Sequence, residues 1–303
     1  MACLQSPAAD RNLFYFSAGR TGRLKARCQA AFFFPKPFSD GLKSSLKPHP
    51  RSNLMQNIKD KVVIITGASS GIGEATAYKL AAAGAKLVLG ARREAQLKAI
   101  ADNIKAAGGE AVYRVTDVVK PEDNQALVAL AKEAFGKVDV VFLNAGLMPS
   151  SPLAALETAN WNAMVDVNIK GVLNGIAAVL PEFTAQKSGH IITTSSVAGL
   201  KVYPGAAVYC GSKWAVKAIM EALRMESAQA GTNIRTATIY PAAVQSELVS
   251  HITDSSTSAG YRALYDQYEI PAERIADVVA FAISQPADTN ISEFTVGPTT
   301  QSW

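Results

Sequence analysis

From Lys61 onward, short β-branched runs alternate with longer stretches of helical period. "KVVIIT" at 61–66 has the continuous apolar character of a strand buried on both faces. A glycine-rich turn and the helical stretch "GEATAYKLAAAGA" at 73–85 follow it. "KLVLG" at 86–90, "REAQLKAIADNIKAAGG" at 93–109 and "EAVYRVTD" at 110–117 repeat the order strand, helix, strand. "PEDNQALVALAKEAFG" at 121–136 and "KVDVVFLNAG" at 137–146 continue it. Further on come "HIITTSS" at 190–196, a long helix around 207–230, "NIRTATIYP" at 233–241 and a last apolar "EFTV" at 293–296. This alternation predicts an α/β domain, a doubly wound parallel sheet of about seven strands with helices on both faces. No linker interrupts it, so residues 55–303 read as one domain.

Composition changes this picture at one end. Residues 1–54 show no sustained period and carry nine Lys/Arg against two Asp/Glu, a net of +7. The other 249 residues carry 21 against 23, a net of −2, so the overall +5 belongs to the leader. A near-neutral body presents no basic face for nucleic acid. The leader is expected to be poorly ordered. It is either a functionless extension upstream of a start at Met55 or, being Arg-rich and acid-poor, an organelle transit peptide. No uninterrupted run of 18 apolar residues occurs, so no membrane span is expected. Cys3, Cys28 and Cys210 are few and scattered, which suits a reducing compartment such as the cytoplasm. His49, His190 and His251 lie too far apart in sequence to propose as metal ligands.

"TGASSGIG" at 66–73 occupies the first strand-to-helix turn. Glycines belong where the chain turns tightly and where backbone must approach a pyrophosphate, and the next helix offers that anion free N–H groups. Gly67, Ser69, Ser70, Gly71, Ile72 and Gly73 are therefore candidate dinucleotide contacts. "GASSG" also formally matches the nucleophile elbow of hydrolases, which would make Ser69 a nucleophile. That elbow comes well into its sheet, whereas this one follows the first strand and only His190 and His251 lie downstream. The second strand ends in "LGARRE", with Ala91 where an NAD-binding acid is expected. Arg92 and Arg93 follow, and a guanidinium clamps a 2′-phosphate that a carboxylate would repel. NADP(H) is the expected cofactor.

These segments together resemble the short-chain dehydrogenase/reductase family. "TGASSGIG" is similar to its cofactor loop, "NAG" at 144–146 to the segment after its fourth strand, and "DVNIKG" at 166–171 to the stretch holding its asparagine. "TTSSVAG" at 193–199 supplies the serine, "YCGSK" at 209–213 the Tyr/Lys pair, and "YPAAVQSEL" at 240–248 the nicotinamide-covering segment. All stand in family order over some 240 residues. The resemblance, closest to NADP-preferring oxidoreductases of bacterial type, implies a Rossmann fold and a homo-oligomer, tetramer or dimer. It assigns Asn168, Ser196, Tyr209 and Lys213 to catalysis, Ser196 and Tyr209 also to substrate binding. It assigns Asp117, Val118, Asn144, Ala145, Gly146, Tyr209, Lys213, Pro241 and Val244 to the cofactor. Ser195 competes with Ser196, but the thirteen-residue spacing to Tyr209 favours Ser196. Two departures stand out: Leu143 precedes Asn144 where the family doubles the asparagine, and Ala242 replaces the usual glycine after Pro241. Ala242 is expected to restrict the backbone beside the nicotinamide.

The implied reaction moves hydride between nicotinamide and a ketone, aldehyde or secondary alcohol, possibly a 3-hydroxy acid, as a carbonyl reductase or alcohol dehydrogenase does. Residues four apart share a helix face, so Tyr209 and Lys213 can meet. An ammonium about 4 Å away, at an effective dielectric of about 20, favours the phenolate by roughly 4 kcal/mol. That is expected to bring the phenol down from about 10 toward the operating pH. Lys213 is also expected to hold the ribose, and Asn168 to place a water beside it. A catalytically weak NADP(H)-binding sensor of the same fold is the alternative, disfavoured by the presence of Ser196, Tyr209 and Lys213 together.

Overall fold

The computed structural model describes residues 57–302. The expectations for residues 1–54 fall outside them. Each β-branched run becomes a strand and each helical stretch packs back onto the sheet. Seven parallel strands form it: β1 (Val62–Thr66), β2 (Lys86–Ala91), β3 (Glu110–Val115), β4 (Val140–Leu143), β5 (Gly189–Thr194), β6 (Ile234–Pro241) and β7 (Glu293–Val296). Their order is β3-β2-β1-β4-β5-β6-β7.

Alternation along β1 fills two cores. Val63 and Ile65 point to a layer made by α1 (Gly71–Ala82), α2 (Glu94–Ala106) and, later in the chain, the helix Glu273–Ser284. Leu80, Leu97, Ile100, Ile275, Val279 and Ile283 meet them there. Val62 and Ile64 point the other way, to α3 (Pro121–Phe135) and the helices Gly171–Gln186 and Ala207–Ala230. Burying each such side chain contributes about 1.5–3 kcal/mol. That two-sided burial explains why the strands read as unbroken apolar runs.

The chain from β4 to β5 is less regular. α4 (Thr158–Val165) runs through a π-helical turn at Asp166–Lys170 into α5 (Gly171–Gln186). This continuous stretch, Thr158–Gln186, is long and apolar enough to cross a membrane by length and composition. Val172, Ile176, Val179 and Phe183 of this stretch are packed in the second core, where a sheet and not lipid covers them. α6 (Ala207–Ala230), α7 (Ser255–Tyr268) and α8 (Glu273–Ser284) complete the element order.

Strand order reverses between β1 and β4, because β2 lies on one side of β1 and β4 on the other. In an open α/β sheet the crevice beyond the carboxyl ends of the strands at such a point is where ligands bind.

Candidate active site

The carboxyl ends of β1 to β6 all open into one cleft of about 470 Å³. Gly67, Ser69–Ile72, Ala91–Arg93, Thr116–Val118, Asn144–Leu147, Thr194–Ser196 and Pro241–Ala242 line it, with Val244. Tyr209 and Lys213 of α6 form one wall, and residues 246–251 with Tyr265 form another.

The glycine loop is shaped by close approach. Gly67 has φ +64°, and a Cβ there would lie 2.8 Å from the Ala145 Cα. A Cβ at Gly73 would fall on the Gly67 carbonyl oxygen. Thr66 wires the loop to β4: its hydroxyl accepts from the backbone N–H of Asn144 at 3.0 Å and of Ala145 at 3.2 Å. Asn144 continues the chain, donating to the Thr66 carbonyl at 3.3 Å and accepting from the Thr194 hydroxyl at 2.9 Å. Its side chain thus joins the ends of β1, β4 and β5. Ser70 stands at the N-cap of α1 without a side-chain bond to the helix, so first-turn N–H groups beside Gly71 and Ile72 remain open to the cleft. These donors, with two arginines on the rim, fit the phosphates of a dinucleotide.

Arg93 lies across this loop. Its guanidinium donates to the Ser69 hydroxyl at 3.1 and 3.2 Å and to the Ser70 hydroxyl at 2.7 Å. The nucleophile-elbow alternative fails on that geometry. A guanidinium cannot accept the Ser69 proton. His190 is buried on β5, away from the cleft lining, and His251 sits among the arginines. Asp117 lines the cleft beside Val118 and also closes a local turn, its carboxylate accepting from the Val119 N–H at 3.2 Å.

Tyr209 lies in the first turn of α6, with Lys213 one turn later on the same face. Both are buried, and the Lys213 Nζ is 5.7 Å from the Tyr209 ring centre. Lys213 donates to the Thr194 carbonyl at 2.9 Å. Ser196 lines the cleft, its Oγ donating to the Pro241 carbonyl at 3.4 Å and accepting from the Ala198 N–H at 3.1 Å. Ser195 faces inward instead and caps the Lys213 carbonyl at 3.0 Å.

The ionisation balance corrects one expectation. Burial pushes the Tyr209 phenol well above its usual value, nearby Tyr265 adds to that, and the Ser196 hydrogen bond opposes it. Burial lowers the Lys213 ammonium to about 8. Lys213 is not among the groups that shift the phenol, and removal from water dominates at both residues. Lys213 is the member of the pair that burial brings down, to about 8.

Asn168 sits in the π turn, where the extra residue rotates it inward. Its amide exchanges two bonds with the Leu147 backbone, N–H to Oδ1 and Nδ2 to carbonyl, each 3.0 Å. Nδ2 also donates to the Ser212 hydroxyl at 3.1 Å. Ser212 in turn donates to the Tyr209 carbonyl at 2.7 Å. Asn168 thereby fixes the β4 loop to the helix that carries Tyr209.

Ala242 lines the cleft beside Pro241. Its φ is not in the left-handed range, and its N–H donates to the Val296 carbonyl at 2.9 Å. The backbone there adopts a conformation open to any L residue. The roles of Thr66, Thr194, Glu247 and Tyr265 had no sequence signal of their own. Thr194 acts through its carbonyl and Glu247 through a partner far off in the chain.

A family model for short chain dehydrogenases matches residues 61–257. An uncharacterised oxidoreductase of Listeria innocua is 66% identical over 246 residues, covering 81% of this chain and 99% of the relative. An alcohol dehydrogenase of the archaeon Thermococcus sibiricus, solved with 5-hydroxy-NADP, is similar in structure with a TM-score of 0.71 at 29% identity. That match covers 80% of this chain and 99% of the archaeal one. A short-chain dehydrogenase/reductase of Burkholderia phymatum, solved with NAD, gives a TM-score of 0.73 at 30% identity, over 79% of this chain and 89% of its own. With the match to the family model spanning the glycine loop, Ser196, Tyr209 and Lys213, the chain belongs to the short-chain dehydrogenase/reductase family.

Proposed function

We propose that the protein is an NADP(H)-dependent oxidoreductase acting on a neutral ketone, aldehyde or secondary alcohol. The observation that carries this reading is convergence. Ser196, Tyr209 and Lys213 share one cleft with an open glycine loop and a rim of Arg92 and Arg93. The bound nicotinamide supplies or accepts the hydride. Ser196 orients the substrate oxygen, and the Tyr209 hydroxyl gives or takes the proton on that oxygen. A phenol kept protonated by burial is poised as the acid of the reductive direction. Lys213, with one donor on Thr194, keeps others for a ribose hydroxyl. Asn168 Oδ1 retains a lone pair for a water beside Lys213.

The cofactor preference rests on Ala91, which leaves no carboxylate to meet the ribose, and on the two guanidinium groups after it. The substrate reading rests on the lining: besides Arg92 and Arg93 its cations are Lys213 and His251. Burial lowers the His251 imidazole toward its neutral form, and the two arginines reinforce that. We place the enzymatic domain at residues 55–303 and read it as a homo-oligomer. Sparse cysteines support a reducing compartment such as the cytoplasm. Comparing kcat/KM for NADPH and NADH against a panel of ketones, aldehydes and 3-hydroxy acids tests the reading. NADPH is expected to be preferred, and Arg92→Asp to move the ratio toward NADH. A wild-type ratio below one overturns the cofactor assignment, and no turnover across the panel overturns the activity.

A further inference from the structure

Residues 246–269 leave the sheet after β6 and return to it. Their base is stitched shut: Val244 pairs with Ile270, Gln245 N–H donates to the Ile270 carbonyl at 2.9 Å, and Ile270 N–H to the Ala243 carbonyl at 3.1 Å. Above that hinge the segment forms one wall of the cleft, and its second residue, Glu247, reaches the glycine loop.

The contact is a fork on a fork. Glu247 Oε1 accepts from Arg93 Nη1 at 3.1 Å, and Oε2 lies 2.8 Å from Arg93 Nη2. Oε2 also accepts from the Ser70 hydroxyl at 2.8 Å. Ser246 packs against Gly71 in the first turn of α1, 3.1 Å from where a Cβ would lie. A guanidinium fork and a serine hydroxyl are donors that recognise a phosphate, and here a carboxylate of the protein satisfies both. Arg93 and Ser70 accordingly hold the Glu247 carboxyl below its usual range. Two anions cannot share the same face of one guanidinium without repelling one another.

We propose that Glu247 is an internal stand-in for the cofactor's 2′-phosphate, clamping the substrate-side lid to Arg93 and Ser70 until that phosphate displaces it. The proposal rests on the NADP(H) reading above. Glu247 then acts as a specificity-determining residue in two ways. It competes with the 2′-phosphate for Arg93, and it couples arrival of the adenosine end to release of a lid that borders Tyr209. A cofactor without the 2′-phosphate has no group to take Arg93 from it.

Glu247→Gln keeps the shape and a bond to Ser70 while removing the charge. Calorimetric titration of wild type and E247Q with adenosine 2′,5′-bisphosphate and with adenosine 5′-monophosphate isolates the 2′-phosphate. The variant is expected to bind the bisphosphate about three- to fivefold tighter, the range a half-exposed ion pair supports, with the monophosphate changed by less than about twofold. Without nucleotide, backbone amides of residues 246–252 should exchange faster in E247Q than in wild type. Unchanged or weaker bisphosphate binding by E247Q overturns the competition. Wild type binding both nucleotides equally overturns the NADP(H) reading instead, and the exchange rates still judge the clamp: equal rates sink it.

Discussion

Lys213 lies one helical turn beyond Tyr209, its Nζ 5.7 Å from the phenol ring, and both side chains are buried. That burial makes stability depend on pH. The folded-state ammonium titrates at about 8, below its ordinary value of 10.5. Below pH about 8 both states carry the proton and the fold bears the cost of a buried charge. Between about 8 and 10 the native lysine is neutral while the unfolded one still binds a proton, so stability rises with pH there. Above about 10 the raised phenol of Tyr209 begins to act the other way, since the unfolded tyrosine ionises first. Urea unfolding of nucleotide-free protein at pH 7.5 and pH 9.5 should show wild type gaining about 1–2 kcal/mol relative to Lys213→Met. Equal pH dependence of the two proteins would show that Lys213 does not titrate in this window.

Replacing Tyr209 by Phe removes one hydroxyl from the cleft that Ser196 also lines. The ring stays packed against Met148, Ala206 and Val249, so the fold and the cofactor wall should survive. Turnover is expected to fall by at least about a hundredfold, the lower end for losing a positioned proton donor. Cofactor affinity, read by fluorescence titration, should change by less than about threefold. Retention of most activity by Tyr209→Phe rules out the phenol as proton donor.

Much of this was readable because backbone constraints leave marks in sequence. β1 announces itself as Val62-Val63-Ile64-Ile65 because both faces are buried, and Gly67 and Gly73 mark places where no Cβ fits. Ser196 and Tyr209, picked out by the ordered set of motifs, both line the cleft. The π turn at Asp166–Lys170 was not found, since a one-residue phase shift between two short helical stretches is hard to tell from an ordinary irregularity in the apolar pattern. The Arg93–Glu247 pair joins residues 154 apart, beyond any local rule. The direction of the Tyr209 shift was misjudged for a related reason. Spacing of four predicts that Lys213 is near, but Tyr265 and the apolar cluster that exclude water come from elements elsewhere in the chain.

Asn168 joins two segments through three hydrogen bonds, all from one amide. Asn168→Ala leaves the Leu147 N–H and carbonyl without these partners, a loss of about 1–3 kcal/mol in denaturant unfolding. The β4 loop that carries Gly146 should loosen with it, raising hydrogen exchange at residues 145–148. Because Ser212 and through it the Tyr209 carbonyl share this network, kcat should fall as well, with KM for cofactor less affected. Asn168→Asp keeps the acceptor to the Leu147 N–H and should be intermediate in stability. Wild-type stability in the alanine variant would show that the network is incidental.

Ala242 stands where the family resemblance implies a glycine, and the backbone there accommodates an alanine. The residue lies outside the left-handed region, and its N–H is bonded to the Val296 carbonyl of β7. A methyl group adds no backbone strain at such a position, while glycine would add freedom to the unfolded chain. Ala242→Gly is therefore expected to destabilise the protein by about 0.4–1 kcal/mol, seen as a lower urea midpoint at constant slope. On catalysis the expectation is small, a change in kcat of less than about twofold, because the backbone path beside the cleft stays the same. Steady-state kinetics with saturating cofactor check this directly. A tenfold or larger gain in kcat in the glycine variant would mean that the Ala242 methyl holds the nicotinamide away from Tyr209, and that steric contact rather than backbone conformation governs this position.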